Sequence, residues 1–474
     1  MRLKQVRIQN FRNFQDLTLE LDPRLNVLVG ANGAGKTAIL DAIAAGLTPV
    51  LSYLSSANQR LSGPGIKDAD FLVETQDLAD GKKRVRKADY AQIVLETTDG
   101  LRWDNWRASF KGASQPEKIG QAELSAYCQQ LQQSLHTDAP GLLPVFAYYS
   151  AQRGSIEHPE RLRASSINYQ YSTSALVGAL DSKSDFKEML KWFNDAEAAE
   201  LRANRGVADD DYEPLPALSA VRESIELMLG GRYRNPCFDR DHKFVVTAVD
   251  TDTPLQVAQL SLGYQSMLSL SADFARRMAI ANDFLDDNLD TNDNLSKIGN
   301  DFVALNPGQM PEFGTPSLMA PAIMLVDEID VHLHPAWQQH VLADLMRVFP
   351  CTQFIVTTHS PQVLSSVASR HICCLDENRI FAAPNGTEGA EASRILDRVF
   401  GVSTRPPDNP VTRDLNEYLK LVYADQWQSE RAKQLRQRLN LAYLGEEPAL
   451  TAADLYIENR EWELEIEKEG EARP

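Results

Sequence analysis

The amino-acid sequence predicts an α/β fold in which a mixed β-sheet is flanked by helices, with a helical subdomain and a helical C-terminal extension. Three observations support this prediction. A glycine-rich loop at 30–37 separates a short apolar run from a helix-forming run. A second apolar stretch, at 323–328, ends in two carboxylates. Helical periodicity dominates 155–235 and the chain after 390.

The loop at 30–37 reads G-x-x-x-x-G-K-T, between a predicted buried strand at 25–29 and a predicted helix at 37–45. Glycines let its backbone N–H groups turn inward around an anion, and the helix N-terminus adds positive charge. An ordinary glycine-rich turn is the alternative, but the strand–loop–helix context favours a nucleoside-triphosphate site. The predicted nucleotide-binding residues are Asn32, Gly33, Ala34, Gly35, Lys36, Thr37 and Ala38, with Thr37 also holding Mg²⁺.

Composition limits the classes of protein. The 474 residues allow roughly two to four domains, and 43% hydrophobic and 24% charged residues are ordinary for a globular protein. The formal charge of −18 argues against wholesale nucleic-acid binding without excluding a local basic groove. The dense basic cluster at 82–87 is typical of a solvated hairpin, and contact with DNA there stays open.

The expected compartment is the cytoplasm. No apolar run approaches the roughly 18 residues that a membrane span needs, so no membrane partner is expected. The N-terminus alternates charged and apolar residues, as a strand does and a signal peptide does not. The five cysteines show neither metal-ligand spacing nor a disulfide framework, which indicates a reduced protein.

Alternating apolar residues at 2–8 and 15–21 predict a hairpin that leads into the strand at 25–29. Arg12 lies in its turn, where a contact with bound nucleotide and an ordinary surface position are both consistent with the sequence. A second hairpin is predicted at 90–107 and a buried strand at 143–149.

The middle of the chain is predicted to be mostly helical. Helices are expected at 184–199 and 221–229, followed by strands at 244–249 and 255–257. The stretch at 281–320 is acidic and contains scattered Asn, Gly and Pro. Irregular chain of that length is uncommon in a compact domain, so this stretch predicts a functional or disordered insertion.

Ser261, in the segment Leu-Ser-Leu-Gly-Tyr-Gln at 260–265, precedes a helix predicted at 266–281. A serine hydroxyl, free backbone N–H groups and a helix N-terminus together form an anion site, although an N-cap serine alone would be unremarkable.

The last part of the sheet is predicted from strands at 321–326, 352–357, 370–375 and 379–382, with an amphipathic helix at 335–348. Parallel strands deliver side chains to one edge of a sheet, which is where such sheets hold ligands.

Two chemical groups are predicted at that edge. Asp327 would orient Mg²⁺ and Glu328 would polarise the attacking water. Acids at the end of a strand are by themselves a weak signal, and the phosphate loop in the same chain strengthens it. His359 follows the next strand, where a neutral imidazole can donate to the γ-phosphate, although a lone histidine at a strand end is usually structural.

These four segments, in this order, resemble the ABC-type ATPase heads of the SMC, RecF and OLD groups. The resemblance extends from residue 1 to about 385 and implies an ABC-type P-loop ATPase head. It matches 30–37 to Walker A, 261–265 to the signature motif, 323–328 to Walker B, His359 to the switch histidine and Asp330 to the vicinity of the D-loop.

In such heads the signature of one protomer completes the ATP site of another, so the resemblance implies a head-to-head dimer, with higher oligomers left open. It implies ATP contacts from Ser261, Gly263 and Gln265, and catalytic roles for Glu328 and His359. It also implies that Mg²⁺ is held by Thr37, Asp327 and Gln152, and that Gln152 or Arg153 senses the γ-phosphate. Two departures stand out. Leu262 replaces a residue that is often glycine or polar, and the acidic insertion lengthens the spacing to Walker B.

Within the group, the segments at 143–149, 327–338 and 349–364 resemble the ATPases of Septu phage-defence systems. That resemblance implies a separate HNH nuclease subunit, docked on the C-terminal helices or on the 281–320 insertion. His332 and His334 fit a Leu-His-Pro turn of that family better than they fit a metal site.

Two function classes stay open. The first is the regulatory ATPase of an antiviral nuclease complex, and the second is a RecF- or SMC-like repair or recombination ATPase that clamps DNA. The sequence has no coiled-coil heptads, no Toprim-like acidic pattern and no HNH pattern. A transporter ATPase is a distant third, because no helix pattern suggests a membrane partner.

Four regions are predicted. They are an N-terminal Walker A lobe at 1–154, a helical and signature subdomain at 155–320, a Walker B and switch-histidine lobe at 321–389, and a helical region for partner binding or oligomerisation at 390–474.

Overall fold

The computed structural model describes residues 1–57, 59–77, 83–137, 139–151, 167–181, 186–287, 293–310 and 314–471. The chain forms two compact units, Met1–Ile395 and Leu396–Pro474. The predicted class, a mixed α/β head with a sheet flanked by helices and a helical C-terminal region, is confirmed.

The strands are, in chain order, β1 (Leu3–Phe11), β2 (Phe14–Glu20), β3 (Leu25–Gly30), β4 (Val73–Asp77), β5 (Lys83–Lys87), β6 (Tyr90–Thr97), β7 (Arg102–Ala108), β8 (Val145–Tyr149), β9 (Tyr233–Phe238), β10 (Phe244–Ala248), β11 (Thr253–Gln256), β12 (Ala322–Val326), β13 (Thr352–Thr357), β14 (Ile372–Asp376) and β15 (Arg379–Ala382).

The α-helices are, in chain order, α1 (Lys36–Leu54), α2 (Gln121–Ser134), α3 (Phe186–Ala203), α4 (Pro216–Met228), α5 (Leu262–Ala281), α6 (Phe284–Asp287), α7 (Asp293–Leu305), α8 (Pro335–Gln338), α9 (Val341–Val348), α10 (Pro361–Ser365), α11 (Ala392–Arg398), α12 (Pro410–Tyr423), α13 (Glu430–Tyr443) and α14 (Pro448–Glu471).

The largest sheet positions the candidate site. Its order is β15-β14-β3-β13-β12-β8, with β15 antiparallel to β14 and every other pairing parallel. The strands β8, β12 and β13 are buried along their whole length, as expected for a parallel sheet covered on both faces. The register pairs Val326 with Tyr149 and with Val356, so the residues that follow β8, β12 and β13 meet at one edge.

Helix α1 packs against this sheet and against the antiparallel sheet β2-β1-β6-β7. The indole of Trp103 donates to the carbonyl of Gly46 at 2.8 Å, and the amide of Asn105 donates to that of Ala45 at 2.7 Å. The expectation that no apolar run has the length of a membrane span is wrong for α1, which is long and apolar enough to cross a membrane. Because 67% of that stretch is buried inside the fold, α1 has the position of a core helix.

The disordered alternative for 281–320 is wrong for its described part, most of which is helical, and a functional insertion there stays a prediction. Helix α7 buries Ile298 and Phe302, one turn apart, and the side-chain amide of Asn306 donates to the carbonyl of Pro350 at 3.0 Å. The residues of α7 around Ile298 are mostly polar or charged, and for that reason its apolar stripe was not recognised in the sequence.

Two further elements differ from prediction. The helix expected at 335–348 is divided into α8 and α9. Strand β9 was not predicted, because Pro236 interrupts its pattern. Proline is tolerated at the edge of a sheet, and β9 is the edge strand of the sheet β11-β10-β9.

The basic cluster at 82–87 contributes to the hairpin β4–β5, with Lys82 outside the described residues. Arg86 forms an ion pair with Asp89 at 2.9 Å, and Lys87 forms one with Asp68. Contact with DNA at this hairpin stays a prediction.

The C-terminal unit has a hydrophobic core of its own. Helices α12, α13 and α14 bury Leu415, Tyr418, Val422, Ala432, Leu435, Leu439, Leu450 and Ala453. The Arg436 guanidinium donates to both carboxylate oxygens of Asp454, at 2.7 and 2.6 Å. Self-contained packing of this kind is what a separate small domain requires.

Candidate functional site

The loop between β3 and α1 has the backbone that a phosphate cradle requires. Gly33 and Gly35 have φ of 81° and 104°, in the left-handed region that side chains disfavour. A Cβ atom on Gly35 would collide with the Phe14 ring, and one on Gly30 would lie 2.5 Å from the carbonyl oxygen of Leu375. Both positions therefore require glycine for space.

Lys36 folds over this loop. Its side chain is 7% exposed, and its ammonium donates to the carbonyls of Gly30 at 2.8 Å and Ala31 at 3.0 Å. Burial lowers the pKa of Lys36, and the carboxylates of Asp327 and Glu328 offset part of that effect. The cation is thus placed where phosphate oxygens would replace the two carbonyls.

Three oxygen-bearing side chains meet beyond β12. The Thr37 hydroxyl donates a hydrogen bond to Asp327 Oδ2 at 2.9 Å, and the Thr357 hydroxyl donates one to Asp327 Oδ1 at 2.6 Å. A threonine hydroxyl beside a carboxylate is a donor set that suits Mg²⁺. The two predicted magnesium ligands Thr37 and Asp327 are therefore brought together by the fold.

Glu328 is oriented by the same threonine. Its backbone N–H donates to Thr357 Oγ1 at 2.7 Å, and its φ of 49° lies in the left-handed region. This backbone conformation is uncommon for a residue other than glycine, and the hydrogen bond to Thr357 stabilises it.

His359 and Asp330 are linked through the backbone that follows β13. The Thr358 hydroxyl donates to Asp330 Oδ1 at 2.5 Å, and the backbone N–H of His359 donates to the same oxygen at 3.3 Å. The half-buried His359 thus lies two residues after β13, the strand next to β12, and Asp327 directly follows β12. Between β12 and β13 in the chain, His334 precedes α8, and its Nδ1 accepts a hydrogen bond from the N–H of Ala336 at 3.3 Å.

The signature segment lies at the start of α5. Ser261 is the exposed N-cap residue, and a Cβ on Gly263 would lie 2.8 Å from the carbonyl oxygen of His332. The side-chain amide of Gln265 donates to the carbonyl of Leu260 at 2.8 Å and is 7% exposed, so its hydrogen bonds stabilise its own helix start. In the described part of the chain, no hydrogen bond or ion pair joins Ser261 to Lys36.

Arg12 lines a cavity beside α1. Its guanidinium pairs with Asp41 at 2.7 Å and with Asp70 at 2.9 Å. The cavity has a volume of about 390 Å³ and is lined by Phe11, Arg12, Asp41, Ala45, Ser62, Gly63, Pro64, Gly65, Lys67, Asp70, Tyr148, Gly178, Leu180 and Asp181. Asp41 lies one helical turn after Thr37, so the cavity adjoins the phosphate loop.

The sequence did not predict most of this lining, since the 62–67 loop has no periodicity and only Arg12 gave a signal. Gln152 and Arg153, predicted to sense the γ-phosphate, lie outside the described residues.

A buried charge cluster joins α5 to the sheet, and it too was not predicted. Arg276 and Arg277 donate to Asp273 at 2.6 and 2.8 Å, and the Tyr149 phenol donates to it at 2.9 Å. Burial by itself would raise the pKa of Asp273, but the attraction of Arg277 and Arg276 lowers it well below its usual range. The cluster also reaches Asp327, whose N–H donates to the carbonyl of Tyr149 at 2.8 Å.

Replacing Asp273 with asparagine is expected to lower the free energy of unfolding by about 3–5 kcal/mol, because two arginines lose their buried counter-charge. Urea denaturation measures this, with the exposed Asp252→Asn as the matched control. Because the folded pKa is depressed, the stabilisation is present above about pH 4 and is lost as the pH falls toward the folded value. Equal unfolding midpoints for Asp273→Asn and the control would contradict the proposed strength of the cluster.

Family models match two overlapping parts of the chain. An AAA domain model matches residues 5–226, and a second AAA domain model matches residues 182–365. The SMC head domain of Thermotoga maritima aligns with 81% of this chain and all of its own, at 13% identity and a TM-score of 0.34.

Three curated relatives are informative. The retron Ec83 probable ATPase of Escherichia coli is 29% identical, over 99% of this chain and 89% of that protein. The Septu protein PtuA of Bacillus thuringiensis is 35% identical over 18% of this chain and 24% of its own. The replication and repair protein RecF of Lactococcus lactis is 54% identical over 43 residues, which are 9% of this chain and 12% of RecF.

The chain is an ATPase related in sequence to retron ATPases, to PtuA and to RecF.

Proposed function

We propose that this ATPase is the ATP-binding and ATP-hydrolysing regulatory subunit of a bacterial antiviral complex of the Septu kind, and that it assembles with and controls a separate HNH nuclease in the cytoplasm. One observation supports ATP chemistry most directly. The Lys36 ammonium lies in the loop, and the Asp327 carboxylate is hydrogen-bonded to the hydroxyls of Thr37 and Thr357 at the same edge of the sheet. The relatives from a retron and from Septu support the defence role.

In this proposal the residues of the loop at 32–38 bind the phosphates, and Lys36 exchanges its two carbonyl partners for phosphate oxygens. Thr37 and Asp327 would hold Mg²⁺, which neutralises charge developing on the phosphates, and Gln152 would complete this set. The cavity beside α1 has room for the nucleoside, with Arg12 at its wall.

Glu328 accepts the proton of the attacking water, whose oxygen bonds to the γ-phosphorus as the bond to the β-phosphate oxygen breaks. His359 donates to the γ-phosphate and holds the water in line. Both side chains follow adjacent parallel strands, which supports their action on one phosphate.

The second half of each site would come from another copy of the chain. Ser261 is exposed at the start of α5 and Gly263 is buried beside it, and in the described part of the chain no hydrogen bond or ion pair joins Ser261 to Lys36. A head-to-head dimer would place the serine hydroxyl and helix N-terminus of one copy on the triphosphate of the other. Gln265 would contribute by fixing the helix start.

The nuclease would dock on the C-terminal unit. Helix α14 exposes Leu455, Trp462 and Ile466 by 57%, 65% and 49%, at spacings that place them along one face among glutamates. Exposed apolar side chains on a helix are typical of an interface.

The test is to co-express the chain with an HNH nuclease encoded beside it and to measure the mass of the purified assembly with and without ATP. We expect a complex of both subunits whose mass changes with ATP, and no such change when the ATPase carries Lys36→Ala. An ATPase that remains free of the nuclease under both conditions would overturn the regulatory role.

The alternative is a repair ATPase that clamps DNA, which the 43-residue match to RecF favours. In that case the purified chain alone would bind duplex DNA in an ATP-dependent manner, with an affinity that falls as salt rises.

A further inference from the structure

An arginine from outside the signature segment lies at the start of α5. Tyr264, in the first turn of that helix, packs edge-on against Trp337 with ring centroids 4.4 Å apart and against Tyr233 at 5.3 Å. Its hydroxyl accepts a hydrogen bond from Arg232 Nη1 at 3.1 Å. The aromatic contacts therefore fix the phenol, and the phenol fixes the guanidinium.

The second feature is the charge of Arg232. Its side chain is exposed, and among the residues that the structure describes it takes part in no ion pair. Two positions further along the chain, Arg234 of β9 forms an ion pair with Asp252 at 2.9 Å. A cation held by a neutral phenol, in a chain with a formal charge of −18, is available to an anion from elsewhere.

Arg232 is also well placed. Ser261 and Tyr264 are three positions apart, so they lie on the same face at the start of α5. The backbone of Arg232 is held on both sides, since its N–H donates to the carbonyl of Leu229 at 3.3 Å and its carbonyl accepts from the N–H of Val249 at 2.9 Å. The guanidinium is therefore anchored through Tyr264 to the same helix start that carries the exposed Ser261.

We propose that Arg232 acts in trans and that its guanidinium contacts the triphosphate bound by the phosphate loop of a second copy of the chain. This inference rests on the proposed function, because it needs the head-to-head dimer. A helix N-terminus and a serine hydroxyl supply only partial charges, whereas a guanidinium supplies a full charge and paired donors that match phosphate oxygens. Tyr264 is the positioning residue for that group.

The decisive experiment mixes two inactive variants. Arg232→Ala should bind ATP normally, because its own phosphate loop is intact, but its turnover should fall about 100-fold or more. Lys36→Ala lacks nucleotide binding and retains Arg232. An equal mixture contains heterodimers with one complete site, so hydrolysis should return to about a quarter of the wild-type rate. Arg232→Lys should recover part of the turnover, and Arg234→Ala should behave as wild type.

A parallel mixture of Ser261→Arg with Lys36→Ala separates the two proposals. If that pair regains activity and the Arg232→Ala pair does not, the trans role of Arg232 is overturned while the dimer stands. Full turnover by Arg232→Ala alone would overturn it as well. If the serine pair itself stays inactive although the wild type hydrolyses ATP, the head-to-head dimer is overturned, and the role of Arg232 falls with it.

Discussion

Replacing Lys36 with alanine is expected to abolish ATP binding at accessible concentrations. The ammonium lies inside the loop, bonded to two main-chain carbonyls that phosphate oxygens would replace. Two charge-assisted hydrogen bonds at about 1.5–3 kcal/mol each correspond to a loss of roughly 10²–10⁴-fold in affinity. Equilibrium binding of a fluorescent ATP analogue measures this loss directly.

Lys4→Ala is the matched control, because Lys4 is exposed and forms an ion pair with Glu96 of β6. Both variants should give the same circular-dichroism spectrum. Wild-type affinity in a folded Lys36→Ala protein would refute the assignment of the loop as the phosphate site.

Glu328→Gln is expected to retain ATP and to slow hydrolysis by about 10²–10⁴-fold, the usual contribution of a general base. Glutamine has nearly the same shape as glutamate. The left-handed backbone conformation at this position therefore has the same energetic cost in the variant and in the wild type. With hydrolysis blocked, the ATP-bound dimer should accumulate, and light scattering in the presence of ATP should report its mass.

The control is Glu430→Gln, an exposed glutamate of α13 in the C-terminal unit. Single-turnover hydrolysis separates the chemical step from product release. If Glu328→Gln cleaves ATP as fast as the control, then another group must accept the proton of the attacking water.

The sequence identified the parts of the site whose geometry is local. The glycine-rich loop, the carboxylates after β12 and the histidine after β13 each follow an apolar strand directly, and a parallel sheet brings such positions to one edge. That is why Thr37 and Asp327 could be predicted as neighbours, and they lie in contact.

Features that depend on packing between distant segments were not predictable. Asp273, Arg276 and Arg277 are charged residues in a helix, a pattern that usually indicates a solvated face, yet all three are buried. Helix α7 was concealed by acidic composition, and strand β9 by its proline. The inward direction of the Gln265 amide likewise depends on the turn before α5, which no local pattern reveals.

One tyrosine connects the two halves of the proposed mechanism. The main chain of Tyr149 is bonded to Asp327 at the sheet edge, and its phenol is bonded to Asp273, roughly 18 Å along α5 from Ser261. Because that anchor is buried and charged, α5 cannot slide past the sheet without breaking it. The helix is therefore fixed to the sheet near its middle, and we expect a displacement of its serine end to tilt the helix about Asp273 and to move its far end, near Ala281.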